Sequence, residues 1–317
     1  MDHNSIKGHV MVEWKKLGLI FKPDQSLDWM QSHATTPVPI HLKDNDYRIF
    51  FSSRNKDNQS SLGYVDIDIN APNTIKAISQ NPVLDLGDLG HFDCDGIYGT
   101  SILKRDNKLI LYYAGWNAGL RGLFYSSIGI AESDNLGKTF KRFSSAPVLS
   151  RDNIDPWAVM APFVIQDNDH WKMYYTSGIK LYKDNGVLNS LYDIKVARSN
   201  DGYSWEKTKM VAIQLKNDMT NIARANVIKL QDKYVVWFPY VTKATKQYRI
   251  GYGESQDGIK FDNFRYDEDL KVSNDGGWDS EAVTYPYVFV HNNKQYMLYN
   301  GNNFGETGFG LAIKVND

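Results

Sequence analysis

The 317-residue chain is short of several things, and each shortage removes a class of protein. It has a single cysteine, Cys94, so no internal disulfide staples it and no paired-thiolate metal site forms. It has no surplus of charge: 36 basic residues stand against 37 acidic ones, a net charge of −1. A nucleic-acid partner wants a basic face or tail, so none is expected. No apolar run approaches the ~20 residues that cross a bilayer as a helix, and mean hydropathy is −0.47, so a soluble chain without a membrane span is expected. The opening Met1-Asp2-His3-Asn4-Ser5-Ile6-Lys7 lacks the charged-then-apolar build of a signal peptide, which makes the cytoplasm the default location. Missing too are H-E-x-x-H, G-x-x-x-x-G-K-S/T and G-x-S-x-G, so zinc-peptidase, P-loop and serine-hydrolase chemistries lack their minimum residues. No cofactor or metal is expected, although the sequence leaves room for an oxygen-ligated cation.

What is plentiful is aromatic and turn-forming. The chain has 8 Trp, 20 Tyr, 14 Phe and 24 Gly, a composition that suits short strands joined by tight hairpins. Five segments share an apolar-aromatic strand followed by small or polar residues, among them Leu109-Ile110-Leu111-Tyr112-Tyr113-Ala114-Gly115 and Trp171-Lys172-Met173-Tyr174-Tyr175-Thr176-Ser177. Aligned on Phe51, Tyr113, Tyr175, Phe238 and Tyr299, they are spaced by 62, 62, 63 and 61 residues. Regular spacing of this kind marks a repeat architecture.

Each unit reads outward from its anchor. A shorter strand begins fourteen residues upstream, at Pro37, Gly99, Ala161, Arg224 or Tyr285. A third strand follows downstream, as in Ser127-Ile128-Gly129-Ile130-Ala131-Glu132-Ser133, and then a turn and an aromatic residue (Phe140, Trp205 or Phe261) that opens a fourth. The predicted fold is therefore all-β: one domain over residues 1–317, a five-bladed β-propeller with four antiparallel strands per blade. The blades are expected at about 33–80, 95–145, 157–212, 220–268 and 281–317. The last unit lacks a fourth strand, and residues 10–21, with Trp14 where Trp205 and Phe261 sit in their units, read as the strand that pairs with the last blade and closes the ring.

In such a ring the innermost strands line a channel, and the residues leading into them gather at one mouth, the default binding site. Eighteen positions before the anchors lie His33, Asp95, Trp157, Thr220 and Glu281; twenty before lie Gln31, Asp93, Asp155, Asp218 and Asp279. In an extended segment positions two apart face one way, so both rows are expected to look into the mouth. Arg54, Trp116 and Asn302 follow three positions after their anchors, and Arg224 and Tyr285 head inner strands. Carboxylates with aromatic platforms and arginines suit glycosidic-bond chemistry: one carboxylic acid protonates the leaving oxygen, a second activates water or attacks carbon, and rings stack on sugar faces. The plainer alternative is that aspartates at strand starts cap turns and that Trp116 and Trp157 pack between blades.

Several motifs carry a family resemblance: Ile154-Asp155-Pro156-Trp157 followed by Ala161-Pro162-Phe163-Val164, the Tyr-Tyr and Tyr299-Asn300-Gly301 strand endings, and third strands of the type Ile-Gly-x-Ala-x-Ser. The chain resembles the five-bladed propeller glycosidases, the group that holds the arabinanase/xylosidase, invertase/levansucrase and mannoside-phosphorylase families. Gly90-His91-Phe92-Asp93-Cys94-Asp95-Gly96, Gly277-Trp278-Asp279-Ser280-Glu281 and Thr307-Gly308-Phe309-Gly310 look more closely like a bacterial branch labelled glycosylase and associated with polysaccharide genes. The resemblance implies one acidic residue on each of three blades: Glu281 as general acid, Asp95 as base or nucleophile, and Asp155 as the carboxylate that stabilises a cationic transition state. It also implies His33, Arg54, Trp116, Trp157, Arg224, Asp279, Tyr285 and Asn300 around a carbohydrate or glycoconjugate substrate. The invertase-type Asn-Asp-Pro-Asn-Gly motif is absent, and Glu281-Ala282-Val283 replaces the arabinanase-type Glu-Gly-Pro. A glycoside hydrolase or transglycosidase is the first expectation. A phosphorylase gripping phosphate with the arginines and His33, a non-catalytic glycan-binding propeller, and a protein-interaction propeller are the alternatives.

Overall fold

Alternating apolar positions broken every few residues by Gly, Asn and Asp leave little room for helical periodicity. The computed structural model describes residues 13–119, 124–168, 170–216 and 218–315, and among these there is no α-helix. Residues 1–12 and 316–317, which include the N-terminal stretch and the chain end considered above, lie outside the described residues.

The strands fall into five antiparallel quartets. After β1 (Glu13–Phe21), the first quartet is β2 (Ser32–Lys43), β3 (Asp46–Arg54), β4 (Ser60–Asp68) and β5 (Ala71–Ile78). The second is β6 (Gly96–Arg105), β7 (Lys108–Ala118), β8 (Phe124–Ser133) and the two-residue β9 (Lys141–Arg142). The third is β10 (Val159–Asp167), β11 (His170–Asp184), β12 (Val187–Ser199) and β13 (Glu206–Ile213). In the fourth, the inner strand is split into β14 (Met219–Ile222) and β15 (Asn226–Lys229), both paired with β16 (Tyr234–Thr242), which is followed by β17 (Arg249–Ser255) and β18 (Asp262–Tyr266). The fifth, β19 (Thr284–His291), β20 (Lys294–Asn300) and β21 (Phe309–Val315), takes β1 as its fourth strand, with Trp14 opposite Lys314 and Phe21 opposite Phe309. Phe140 and Phe261 come one residue before the fourth strands rather than within them.

Among the described residues the hydrogen-bond ladders do not run round a closed ring. Single parallel bridges, Ser60 to Gly96 and Tyr192 to Asn221, join the first quartet to the second and the third to the fourth, and the strands form three separate sheets. Packing links the quartets instead. All five anchors are fully buried, and each apolar cluster straddles two neighbouring quartets: Phe50 with Leu111, Tyr112 with Met173, Tyr174 with Val236, Trp237 with Met297, and Leu298 with Phe51. Burying one such side chain contributes roughly 1.5–3 kcal/mol, so the interfaces between quartets carry the cohesion that the interrupted ladders do not.

Candidate functional site

The inner strands β2, β6, β10, β15 and β19 touch one another in order and β19 touches β2 again. Each breaks register at the same height: between Thr35 and Val38, Gly99 and Ser101, Met160 and Phe163, and Thr284 and Tyr287, with the β14–β15 gap at the equivalent place. Thr36, Ala161 and Tyr285 there adopt φ of 53°, 44° and 50°, a left-handed conformation that is costly for β-branched and bulky residues. A bulge takes backbone groups out of the ladder. The carbonyls of Pro37, Thr100 and Tyr285 converge on the Arg224 guanidinium at 2.9, 3.3 and 2.9 Å.

Arg224, expected among the substrate-binding residues, has its guanidinium spent on these three backbone carbonyls. It is wholly buried, with its guanidinium 5.3 Å from the centre of the Tyr287 ring. Burial lowers its pKa to about 10, against the opposing influence of Tyr287 and Tyr285. A cation in the channel would have to compete with this guanidinium for the same carbonyls. Among the described residues, no three His, Cys, Asp or Glu side chains are grouped to hold a metal ion.

Next to these bulges lies a cavity of about 330 Å³, lined by Tyr98, Trp116, Phe124, Tyr192, Tyr248, Tyr285 and Phe304, with Arg54 as its one charged side chain among the described residues. Thr35, Thr36, Thr100, Ser126 and Thr176 add hydroxyls. Trp116 lies against Gly96, where a Cβ would fall 1.9 Å from the indole nitrogen, and that nitrogen donates to Ser60 Oγ at 3.0 Å. The Tyr192 and Tyr248 hydroxyls are 2.8 Å apart. Burial holds the phenols of Tyr248 and Tyr285 protonated far above neutral pH. Arg54 donates from Nη1 to Asn58 Oδ1 (2.9 Å) and from Nη2 to Tyr98 OH (3.0 Å), while its buried Nε has no partner.

Of the residues named from sequence, Arg54, Trp116 and Tyr285 meet in this cavity, and none of the carboxylates lines it. Asp95, Glu281 and His33 are not among its lining residues. Asp95 is half-buried, its amide donates to the Trp116 carbonyl, and its Oδ2 accepts from Ala118 N at 2.7 Å. Glu281 is exposed; its carbonyl and that of Tyr248 both accept from Arg249 Nη1. His33 stands beside Ser32, with its pKa lowered to about 4 by burial and by the Arg54 charge, Glu306 acting the other way.

The remaining residues belong to the frame. Asp155, expected at the mouth, is fully buried: it accepts from Tyr175 OH (2.9 Å) and Ser177 Oγ and pairs with Lys195 and Lys207, each at 2.8 Å. Burial alone would raise its pKa, but these donors hold it below the usual carboxylate value. Asp279 repeats the arrangement with Tyr299 OH (2.9 Å) and Lys16 of β1 (2.6 Å), and Asp93 with Tyr113 OH (2.9 Å) and Arg142 (2.8 Å). The row twenty before the anchors thus latches outer strands to anchor tyrosines, and Asp218, twenty before a phenylalanine anchor, is exposed. Asn300 is buried: its Oδ1 accepts from Thr36 N, and its Nδ2 donates to the carbonyls of Ala34 and Gly308, which fastens the last quartet to the first. Trp157 is buried beside Phe124 and Tyr192, behind the lining.

The cavity's own register was missed. Thr36, Tyr98, Met160 and Ala223, all lining residues, stand fifteen positions before their anchors. The repeat alignment contains that row, but period-two counting from the anchors does not mark it as channel-facing.

Five antiparallel quartets around an aromatic cavity at the inner-strand bulges are the layout of the propeller glycosidase class. Residues 86–263 match the family described as glycosyl hydrolases family 32 N-terminal domain, and the chain thus belongs to this family of five-bladed propeller glycosidases. It is 38% identical over 304 residues to Uncharacterized protein Rv1502 of Mycobacterium tuberculosis (strain ATCC 25618 / H37Rv), an alignment covering 96% of this chain and 99% of the relative. Among solved structures it is similar to BT0996 in an RGII complex, with TM-score 0.72, 16% identity and coverage of 96% of this chain and 92% of that one. It is also similar to the Bombyx mori family 32 beta-fructofuranosidase BmSUC1 in complex with sucrose, with TM-score 0.59, 16% identity and coverage of 90% and 61%. At such identities the two structures establish the shared fold alone.

Proposed function

We propose that the five quartets form one closed five-bladed propeller and that the cavity at its mouth binds a sugar unit. The observation that carries this reading is the lining: aromatic side chains interleaved with hydroxyls and one guanidinium. A sugar ring offers apolar C–H faces edged by hydroxyls, which such a surface meets by stacking and hydrogen bonding. The left-handed φ of Thr36 and Tyr285 in the cavity wall supports it, since strain of this kind collects at functional sites. The fold shared with an RGII complex and a sucrose complex agrees with it.

A second reading, cleavage or transfer of a glycosyl group, is favoured by Asp95 and Glu281. The Asp95 amide is bonded to the carbonyl of the lining residue Trp116, the Glu281 carbonyl shares Arg249 with that of the lining residue Tyr248, and among the described residues neither carboxylate has a cationic partner, whereas Asp93, Asp155 and Asp279 are each bound to a cation. In that reading Glu281 is the acid and Asp95 the base or nucleophile, and their separation around a bound sugar, ~5–5.5 Å or ~6.5–9.5 Å, sets retention or inversion. Titration of neutral and acidic sugars, followed by tryptophan fluorescence, tests both. Trp116→Ala is expected to weaken binding about tenfold, for loss of a stacking face. Turnover of a glycoside abolished by Asp95→Asn and by Glu281→Gln would establish the enzyme; retained binding without turnover would leave a binding protein. Absence of any sugar binding would refute the site.

A further inference from the structure

The charge in the cavity is unusual for a site meant for a neutral sugar. Among the described residues, Arg54 is the one charged side chain of the lining, and both of its described hydrogen-bond acceptors, Asn58 Oδ1 and Tyr98 OH, are neutral. More than half of its five N–H donors remain unused, including the buried Nε. Behind the wall formed by Thr100 and Tyr285, Arg224 carries a second positive charge whose described acceptors are all backbone carbonyls. Neither guanidinium forms an ion pair with a described carboxylate. The lining also holds the Ser126 hydroxyl, 3% exposed and without a hydrogen-bond partner.

Arg54 is half-buried and Arg224 behind it fully buried, and positive charge without a counter-ion exerts a strong field where water is scarce. A ligand that brings an anion to Arg54 relieves the imbalance, and a planar guanidinium meets carboxylate or phosphate oxygens with paired donors.

Resting on the sugar-site reading above, we propose that the cavity selects a sugar that itself bears an anionic group, a uronate carboxylate or a phosphate ester, with that group on Arg54 and the ring among Trp116 and the tyrosines. Ser126 supplies a further hydrogen bond to the bound unit.

The test is calorimetric titration of the full chain with matched pairs, glucuronate against glucose and galacturonate against galactose, together with glucose 6-phosphate and inorganic phosphate. The acidic member of at least one pair, or the phosphate ester over glucose, should bind at least about tenfold tighter, a difference of about 1.4 kcal/mol. That preference should shrink as salt is raised. It should vanish in Arg54→Gln and return in part in Arg54→Lys; melting curves of both variants verify folding. The proposal is overturned if neutral sugars bind as tightly as their acidic partners, or if the preference survives Arg54→Gln. It is also overturned if inorganic phosphate binds cooperatively with a neutral sugar, since the anion would then be a separate co-substrate. If no sugar of either kind binds, the sugar site itself is refuted, an outcome distinct from neutral binding without acid preference.

Discussion

Asp155→Ala is expected to destabilise the protein by about 3 kcal/mol, the lower end of the cost of breaking a buried ion pair. The substitution removes the carboxylate from Lys195 and Lys207, whose side chains are only 12% and 5% exposed, and takes an acceptor from the Tyr175 hydroxyl. The lower end applies because both ammonium groups keep other acceptors: Lys195 retains Ser177 Oγ at 2.7 Å, and Lys207 retains Asp152 at 3.0 Å and the Ser150 carbonyl at 2.7 Å. With an unfolding entropy of about 2.1 cal/mol/K per residue, a chain of 317 residues loses about 1.5 °C of melting temperature per kcal/mol, so a drop of about 5 °C is expected. Scanning calorimetry at neutral pH reads it directly. Asp218→Ala, in the same repeat row but exposed, is the control and should shift stability by less than about 0.5 kcal/mol. The pH dependence carries its own sign. The folded pKa of Asp155 lies below 3.8, so its contribution is complete above the unfolded value and is lost as pH falls through the folded one. The gap between wild type and Asp155→Ala should therefore narrow below about pH 4. If Asp155→Ala melts with the wild type while sugar turnover disappears, the aspartate belongs to the chemistry and the latch argument is wrong.

Arg224→Met should strand the carbonyls of Pro37, Thr100 and Tyr285. At ~1–3 kcal/mol for each unsatisfied group, less the relief of no longer burying a charge, a net loss of about 3 kcal/mol is expected in urea unfolding, and an unchanged midpoint would refute the plug. Buried Asp193 and half-buried His33 should tilt stability in opposite directions with pH. Asp193 has its pKa raised to about 6, chiefly by burial, with Lys195 opposing and Asp155 adding to it. Its stabilising protonated state is complete below its unfolded value and lost as pH rises through about 6, so Asp193→Asn should melt above the wild type at pH 8 and with it near pH 3.5. His33, lowered to about 4, does the reverse: stability falls as pH drops from about 6.5 toward 4, and His33→Gln should flatten that slope in melting curves.

The period of the chain is written in its sequence. Strand residues that must pack in a recurring environment recur at 62, 62, 63 and 61 residues, and from that spacing the quartets, their antiparallel order and the pairing of β1 with β21 follow by local rules for strands and turns. The latch is also legible afterwards: Tyr113, Tyr175 and Tyr299 each have an aspartate twenty residues upstream, because only a tyrosine anchor offers a hydroxyl to bind it.

What only the tertiary structure decided is which row of the repeat faces the channel. Counting by twos assumes an unbroken ladder, and one inserted residue moves every preceding side chain to the other face. The inner strands carry such insertions at Thr36, Ala161 and Tyr285, none of them a glycine or asparagine that would announce a left-handed residue. Asp93, Asp155 and Asp279 therefore turned into the frame, and Thr36, Tyr98, Met160 and Ala223, fifteen before their anchors, turned to the cavity. Arg224, which reads locally as an exposed ligand-binding arginine, found its partners in carbonyls 61, 124 and 187 residues away. A bulge and a buried guanidinium are both properties of several strands at once, and no single stretch of sequence contains them.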